Sequence, residues 1–134
     1  MRRAALLLVM AMTMGFPGAA LPAEEEAVGT SLPRDSADAA VIRGSIVFRT
    51  YCVLCHGADG RGDGRAAKLY TPRPANLTVS PFGDSYKEMI IRGGGASVGR
   101  SSFMPPWGGE LSEEQIHDLV SFLRELRKTG KPAD

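Results

Sequence analysis

Only two cysteines, Cys52 and Cys55, and two histidines, His56 and His117, occur in the 134 residues. Two thiols this close in sequence cannot staple a disulfide framework. On paper the same four residues could supply a structural zinc site, which needs four ligands. The pattern argues against it, because His56 directly follows Cys55 and would crowd a shared tetrahedral ion. No stretch alternates apolar and polar residues as a strand does, so the strand-led context of a thioredoxin-type pair is missing. The one long apolar run, Ala4 to Phe16, falls short of the roughly 20 residues of a membrane span. Lys and Arg number 16 against 15 Asp and Glu, a formal charge of +1. So even a balance implies no strong field for nucleic acid or an anionic membrane.

What is present is Tyr51-Cys52-Val53-Leu54-Cys55-His56. Cys-x-x-Cys-His is the attachment pattern of a c-type haem. On a helix, residues three apart share a face, so Cys52 and Cys55 can both bond the haem vinyl groups as thioethers. His56 then offers a ring nitrogen to the iron. The N-terminus agrees independently. Met1-Arg2-Arg3 is a positive start, Ala4 to Phe16 an apolar core, and Pro17 to Ala23 a small-residue exit. This is the pattern of a secretory signal peptide, residues 1–23, with Ala23 or Ala20 as the cleavage point and an uncleaved anchor as the alternative. Haem is attached to such motifs after export, which points to the periplasm.

Residues 24–37, opening on Glu24-Glu25-Glu26, read as a flexible lead-in too poor in apolar side chains to fold. Residues 38–134 form the expected single domain, helped by an apolar cofactor at its centre. Asp38 is the expected cap of a first helix running through Ala39, Val41, Ile42, Ile46, Val47 and Phe48. Gly44 inside it costs helix propensity, which suits a site where another helix approaches closely. Residues 57–83 read as loop, with Gly57, Gly60, Gly62 and Gly64 for turns and Pro72, Pro74 and Pro81 against regular helix. A short helix is expected from Asp84 or Ser85 to Arg92, stopped by Gly93-Gly94-Gly95. The last helix has a capping box in Ser112 and Gln115 and a staple between Leu111 and Ile116. Its apolar stripe is Ile116, Leu119, Val120, Leu123 and Leu126, with Phe122 at the edge. Between residues 57 and 104, basic side chains outnumber acidic ones, a weak pointer to an acidic partner.

Three residues outside the motif can be weighed as the iron's second ligand. His117 lies off the apolar stripe, on the solvent side. Met89, beside Ile90 and Ile91, reads as core packing. Met104 sits in a loop before Pro105-Pro106-Trp107, where fixed φ angles can hold a thioether without a hydrogen-bond ladder. Phe103 and Trp107 are placed to cover the haem edge. Met104 is therefore the favoured partner of His56, a thioether–imidazole pair being the expected set for electron transfer.

With these residues together, the chain resembles the class I bacterial cytochromes c over residues 38–128. It is similar to soluble monohaem carriers and to the haem-c domains of oxidases and dehydrogenases. The resemblance implies an all-α fold, with three main helices and long loops wrapped around one covalently bound haem c. It also implies that the first and last helices cross closely near Gly44. Pro74, with Pro72 competing, resembles the family proline on the histidine side of the haem. Arg92 and Trp107 stand as candidates for the propionates. The expected role is single-electron transfer between a donor and an acceptor protein, by a monomer or by a subunit of a complex, with no enzymatic step of its own. The alternatives are a haem-c subunit of a periplasmic oxidoreductase and, from another class, a haem enzyme or gas sensor with a displaceable sixth ligand. Asp59–Gly64 resembles part of a calcium loop, but Arg61 stands where an oxygen ligand is needed. Asn76-Leu77-Thr78, a chance-level sequon, adds nothing.

Overall fold

The computed structural model describes residues 31–129. The expected signal segment and the first half of the lead-in, residues 24–30, lie outside them. Helix α1 spans Ala37–Tyr51. Its cap is Ser36, whose Oγ accepts from the Ala39 amide at 3.1 Å. Asp38 instead sits in the first turn, where its charge suits the helix dipole without capping it. A single turn, α2, spans Val53–His56. Helix α3 spans Asp84–Gly93 and α4 spans Glu113–Thr129. Short 3₁₀ turns at Ala67–Leu69, Leu77–Val79 and Gly95–Val98 punctuate the loops. Among the described residues there is no strand, so the all-α expectation of three main helices and long loops describes the chain. None of the described helices is long and apolar enough to cross a membrane.

The helix pair α1–α4 is the principal packing of the fold. It is close because Gly44 has no side chain. A Cβ at that position would stand 2.0 Å from the Asp118 carbonyl oxygen and 2.9 Å from the Phe122 Cβ. Beside this contact, Arg43 makes a two-pronged bond to Asp118, Nε to Oδ2 at 2.7 Å and Nη2 to Oδ1 at 2.9 Å. Asp118 is only 5% exposed, so the pair locks the crossing angle from within. The Phe48 and Phe122 rings meet with centroids 5.2 Å apart.

Helix α4 starts as its sequence dictates. Gln115 N–H donates to Ser112 Oγ at 3.2 Å, and Ser112 N–H donates back to Gln115 Oε1 at 2.9 Å. Leu111 and Ile116 are both buried in one core with Leu119, Val120, Phe122, Leu123 and Leu126. Phe122, expected at the edge of the stripe, is fully inside it at 1% exposure, because it packs beside the Gly44 gap.

Helix α3 ends where the glycines predict, with Gly94 at φ 76°. It is tied to α4 through Asp84, which accepts from Arg124 Nε at 3.0 Å and lies 3.6 Å from Lys87 Nζ. The Arg124 hydrogen bond, aided by its charge and that of Lys87, holds the Asp84 carboxyl below its ordinary value of 3.8. A depressed carboxylate stabilises the fold above its unfolded pKa, and that contribution is lost as pH falls through the folded value. Arg124→Gln is therefore expected to cost at most about 1 kcal/mol near neutrality, the pair being partly exposed. The difference should vanish at about pH 2. Urea melts at several pH values check this, and an undiminished difference in acid would refute it.

Candidate haem-binding site

Cys52 closes α1, its amide donating to the Phe48 carbonyl at 2.9 Å, and also precedes α2. The next turn folds back on it. Cys55 N–H and His56 N–H both donate to the Cys52 carbonyl, at 3.2 and 2.9 Å. The two cysteines and the histidine thus hang from the end of a packed helix and all line one cleft. The following loop is stitched to this turn. Gly62, Gly64 and Ala66 donate to the carbonyls of His56, Cys55 and Leu54. Gly62 is needed there, since at φ 78° a Cβ would strike the Pro74 carbonyl oxygen at 2.3 Å.

His56 Nδ1 lies 3.0 Å from the Ala75 carbonyl oxygen. A carbonyl only accepts, so Nδ1 carries the proton and Nε2 is left with its lone pair, the state a metal-binding imidazole requires. Burial pushes the His56 pKa down, with the Ala75 bond opposing, which favours the neutral ring. Burial, with a smaller contribution from Cys55, pushes the Cys52 thiol up to about 12. Pro72 and Pro74 both border the cleft, but the carbonyl that orients the imidazole belongs to Ala75, the residue after Pro74.

The cleft holds about 690 Å³, within the usual range of ligand pockets. Its floor includes Phe48, Ile91, Leu119 and Leu123 from the core, and Met104 lines it as well. The Met104 loop is held by more than its prolines. Gly95 N–H donates to the Met104 carbonyl at 2.8 Å, and Trp107 N–H donates to the Ile91 carbonyl at 2.8 Å. The Ile91 carbonyl near the end of α3 and the Gly95 amide in the turn after it therefore clamp the loop. Trp107 packs edge-on to Tyr51, with centroids 5.3 Å apart, and Phe103 tilts against Tyr70 at 5.0 Å. Both Trp107 and Phe103 line the cleft, although Phe103 remains 56% exposed.

The other candidates fall away from this space. His117 is exposed, 3.9 Å from Glu88, and is not part of the lining. Met89 does not pack in the core as its neighbours suggest. It is 50% exposed, because it lies two residues from both Lys87 and Ile91 and so faces away from them. Arg92 pairs with Glu113 outside the cleft, leaving Trp107 as the propionate candidate that lines it. The residues overlooked are Tyr86 and Lys87 on α3, with Arg73 and Arg100 in the loops. Helical phase gives a signal for the first two, since Tyr86, Lys87, Ile90 and Ile91 repeat at four-residue spacing.

The donor chemistry fits a haem. A neutral imidazole with its outer nitrogen occupied, a thioether, and two thiols on one turn all border a largely apolar slot. No described carboxylate borders it, while Arg73, Lys87 and Arg100 do. Among solved structures, a chain of the reducing HAO-like protein complex of Kuenenia stuttgartiensis aligns with a TM-score of 0.56 at 20% identity. The match covers 72% of this chain and 49% of that one, so this chain spans about half the length of its neighbour. That likeness concerns the fold. The family model described as cytochrome c oxidase, cbb3-type, subunit III matches residues 39–123, well over half the sequence, from α1 into α4. The chain therefore belongs to this family of c-type cytochrome domains, whose cofactor is haem c and whose chemistry is electron transfer.

Proposed function

We propose that the protein carries single electrons between redox proteins through one haem c, attached at Cys52 and Cys55 and ligated by His56 and Met104. The observation that carries this reading is the meeting of the Cys-x-x-Cys-His turn and the Met104 loop on one apolar cleft, although His56 and Met104 are 48 positions apart in sequence. When bound, the haem supplies a reversible one-electron couple. The chain's own residues then do three things. Ala75 fixes the imidazole tautomer and its plane. The clamped Met104 loop presents a sulfur that favours the reduced state relative to a second histidine. The apolar lining keeps water from reorganising around the changing charge. Leu54, 54% exposed between the two cysteines, keeps that side approachable for small, transient redox contacts. The signal pattern of residues 1–23 supports export to the periplasm.

A second reading is an electron-transfer subunit held in a larger oxidoreductase. The family description names an oxidase subunit, and the structural neighbour comes from a complex. Size-exclusion chromatography of native extract separates the two readings, since a carrier runs alone and a subunit co-elutes with a larger catalytic chain.

The ligand assignment is tested by the optical spectrum of the holoprotein beside Met104→Ala. The ferric protein should show a weak near-infrared band from sulfur bound to iron, and the variant should lose it. A wild-type protein without the band, or one that readily binds carbon monoxide when reduced, would replace the carrier reading with a catalytic or sensing haem.

A further inference from the structure

Three cations border the cleft, and they are not equivalent. Lys87 already faces the Asp84 carboxylate at 3.6 Å. Arg73 and Arg100 are both exposed, but no described residue holds the Arg73 guanidinium in place. Arg100 is different. Its Nε donates to the Tyr86 hydroxyl oxygen at 3.2 Å, and its guanidinium carbon sits 5.2 Å from the centroid of the Phe82 ring. Phe82 and Tyr86 are themselves stacked, with centroids 4.2 Å apart. The guanidinium is thus oriented from one edge and one face by two aromatic side chains that also line the cleft.

This hold occupies Nε and leaves both terminal nitrogens, the fork that binds a carboxylate in two-pronged fashion. No carboxylate among the described residues pairs with Arg100, whereas Arg43, Arg92 and Arg124 each have one. A fixed guanidinium without an anion, beside an apolar slot free of carboxylates, is built for an anionic group carried by the slot's occupant. On the reading that this occupant is haem c, we propose that Arg100 binds a haem propionate, with Tyr86 and Phe82 as the residues that position it. The assignment replaces Arg92, whose charge is already taken by Glu113.

On that assignment Arg100 would bring a positive charge to the bound haem, and such a charge favours the reduced state. Removing it should lower the ratio of reduced to oxidised protein on the order of tenfold at the wild-type midpoint, taking one charge at about 10 Å and an effective dielectric constant of about 20. The test compares holoprotein of the wild type, Arg100→Gln, Arg100→Lys and Arg73→Gln. Resonance Raman spectra read the propionate bending band, and redox titration reads the midpoint. Arg100→Gln is expected to shift the band and lower the midpoint, Arg100→Lys to restore part of the midpoint, and Arg73→Gln to leave the band in place. An unchanged band in Arg100→Gln, whatever happens to the midpoint, overturns the proposal. The near-infrared methionine band in the same samples reports the axial ligand separately, so loss of Met104 ligation cannot be mistaken for loss of the Arg100 contact.

Discussion

Gly44→Ala should lower the stability of the holoprotein by about 3 kcal/mol, and Gly44→Val by more. Two effects oppose each other at this position. Alanine in place of glycine favours a helix by about 1 kcal/mol. Against that, the new methyl would lie 2.0 Å from the Asp118 carbonyl oxygen and 2.5 Å from its carbon, both backbone atoms of α4 that cannot rotate away. The helices must separate, and the buried neighbours Phe48, Leu119 and Phe122 lose contact together. Steric cost wins because the obstacle is a helix backbone rather than a flexible side chain. Urea melts followed by far-UV circular dichroism give the difference, with Thr50→Ala on the exposed side of α1 as the comparison, expected to stay within about 0.5 kcal/mol. A Gly44→Ala protein as stable as the wild type would mean that α1 and α4 do not meet this closely.

Replacing both Cys52 and Cys55 with serine should have a larger effect still. Haem should then be extracted entirely by acidified organic solvent, where the wild type retains it. The polypeptide without its cofactor is expected to lose cooperative unfolding. A slot of 690 Å³ bordered by Phe48, Ile91, Leu119 and Leu123 is an extension of the core rather than a surface dent. Left empty, the slot would expose these core side chains to water or forfeit their packing contacts. Domains of this kind have a total stability of roughly 5–15 kcal/mol. The walls must therefore collapse or admit water, leaving helical content without fixed packing. Strong dye binding, a retained far-UV signal and a lost near-UV signal are the expected signature. A sharp thermal transition at the wild-type temperature would show instead that the helices hold the fold without the cofactor.

Features that rest on short spacings were readable from the sequence. Cys52, Cys55 and His56 are set by one helical turn. The α4 stripe and its capping box are set by local periodicity. The significance of Gly44 follows from a glycine where helix propensity alone would reject one. Features that depend on which distant residue supplies a partner were not readable. Arg92 and Arg100 look alike as sequence, and only the fold gives one to Glu113 and the other to Tyr86 and Phe82. Ser36 and Asp38 are both sound caps, and the turn donating Ser36 N–H to the Pro33 carbonyl decides between them. Met89 was misplaced because α3 is short and its buried phase is set by Lys87 and Ile91, one of which is a charged residue.

The walls of the cleft come from successive stretches of the chain. The cysteines, His56 and Ala75 belong to the first, Met104 and its clamp to the second. On the proposed ligation, two thioether bonds and an imidazole grip the haem from the first stretch, and one sulfur reaches it from the second. The molecule therefore has a seam with unequal stitching. Strain, heat or denaturant should open it on the methionine side first. The haem then travels with the N-terminal stretch, and one face of the iron meets solvent before the α1–α4 pair gives way.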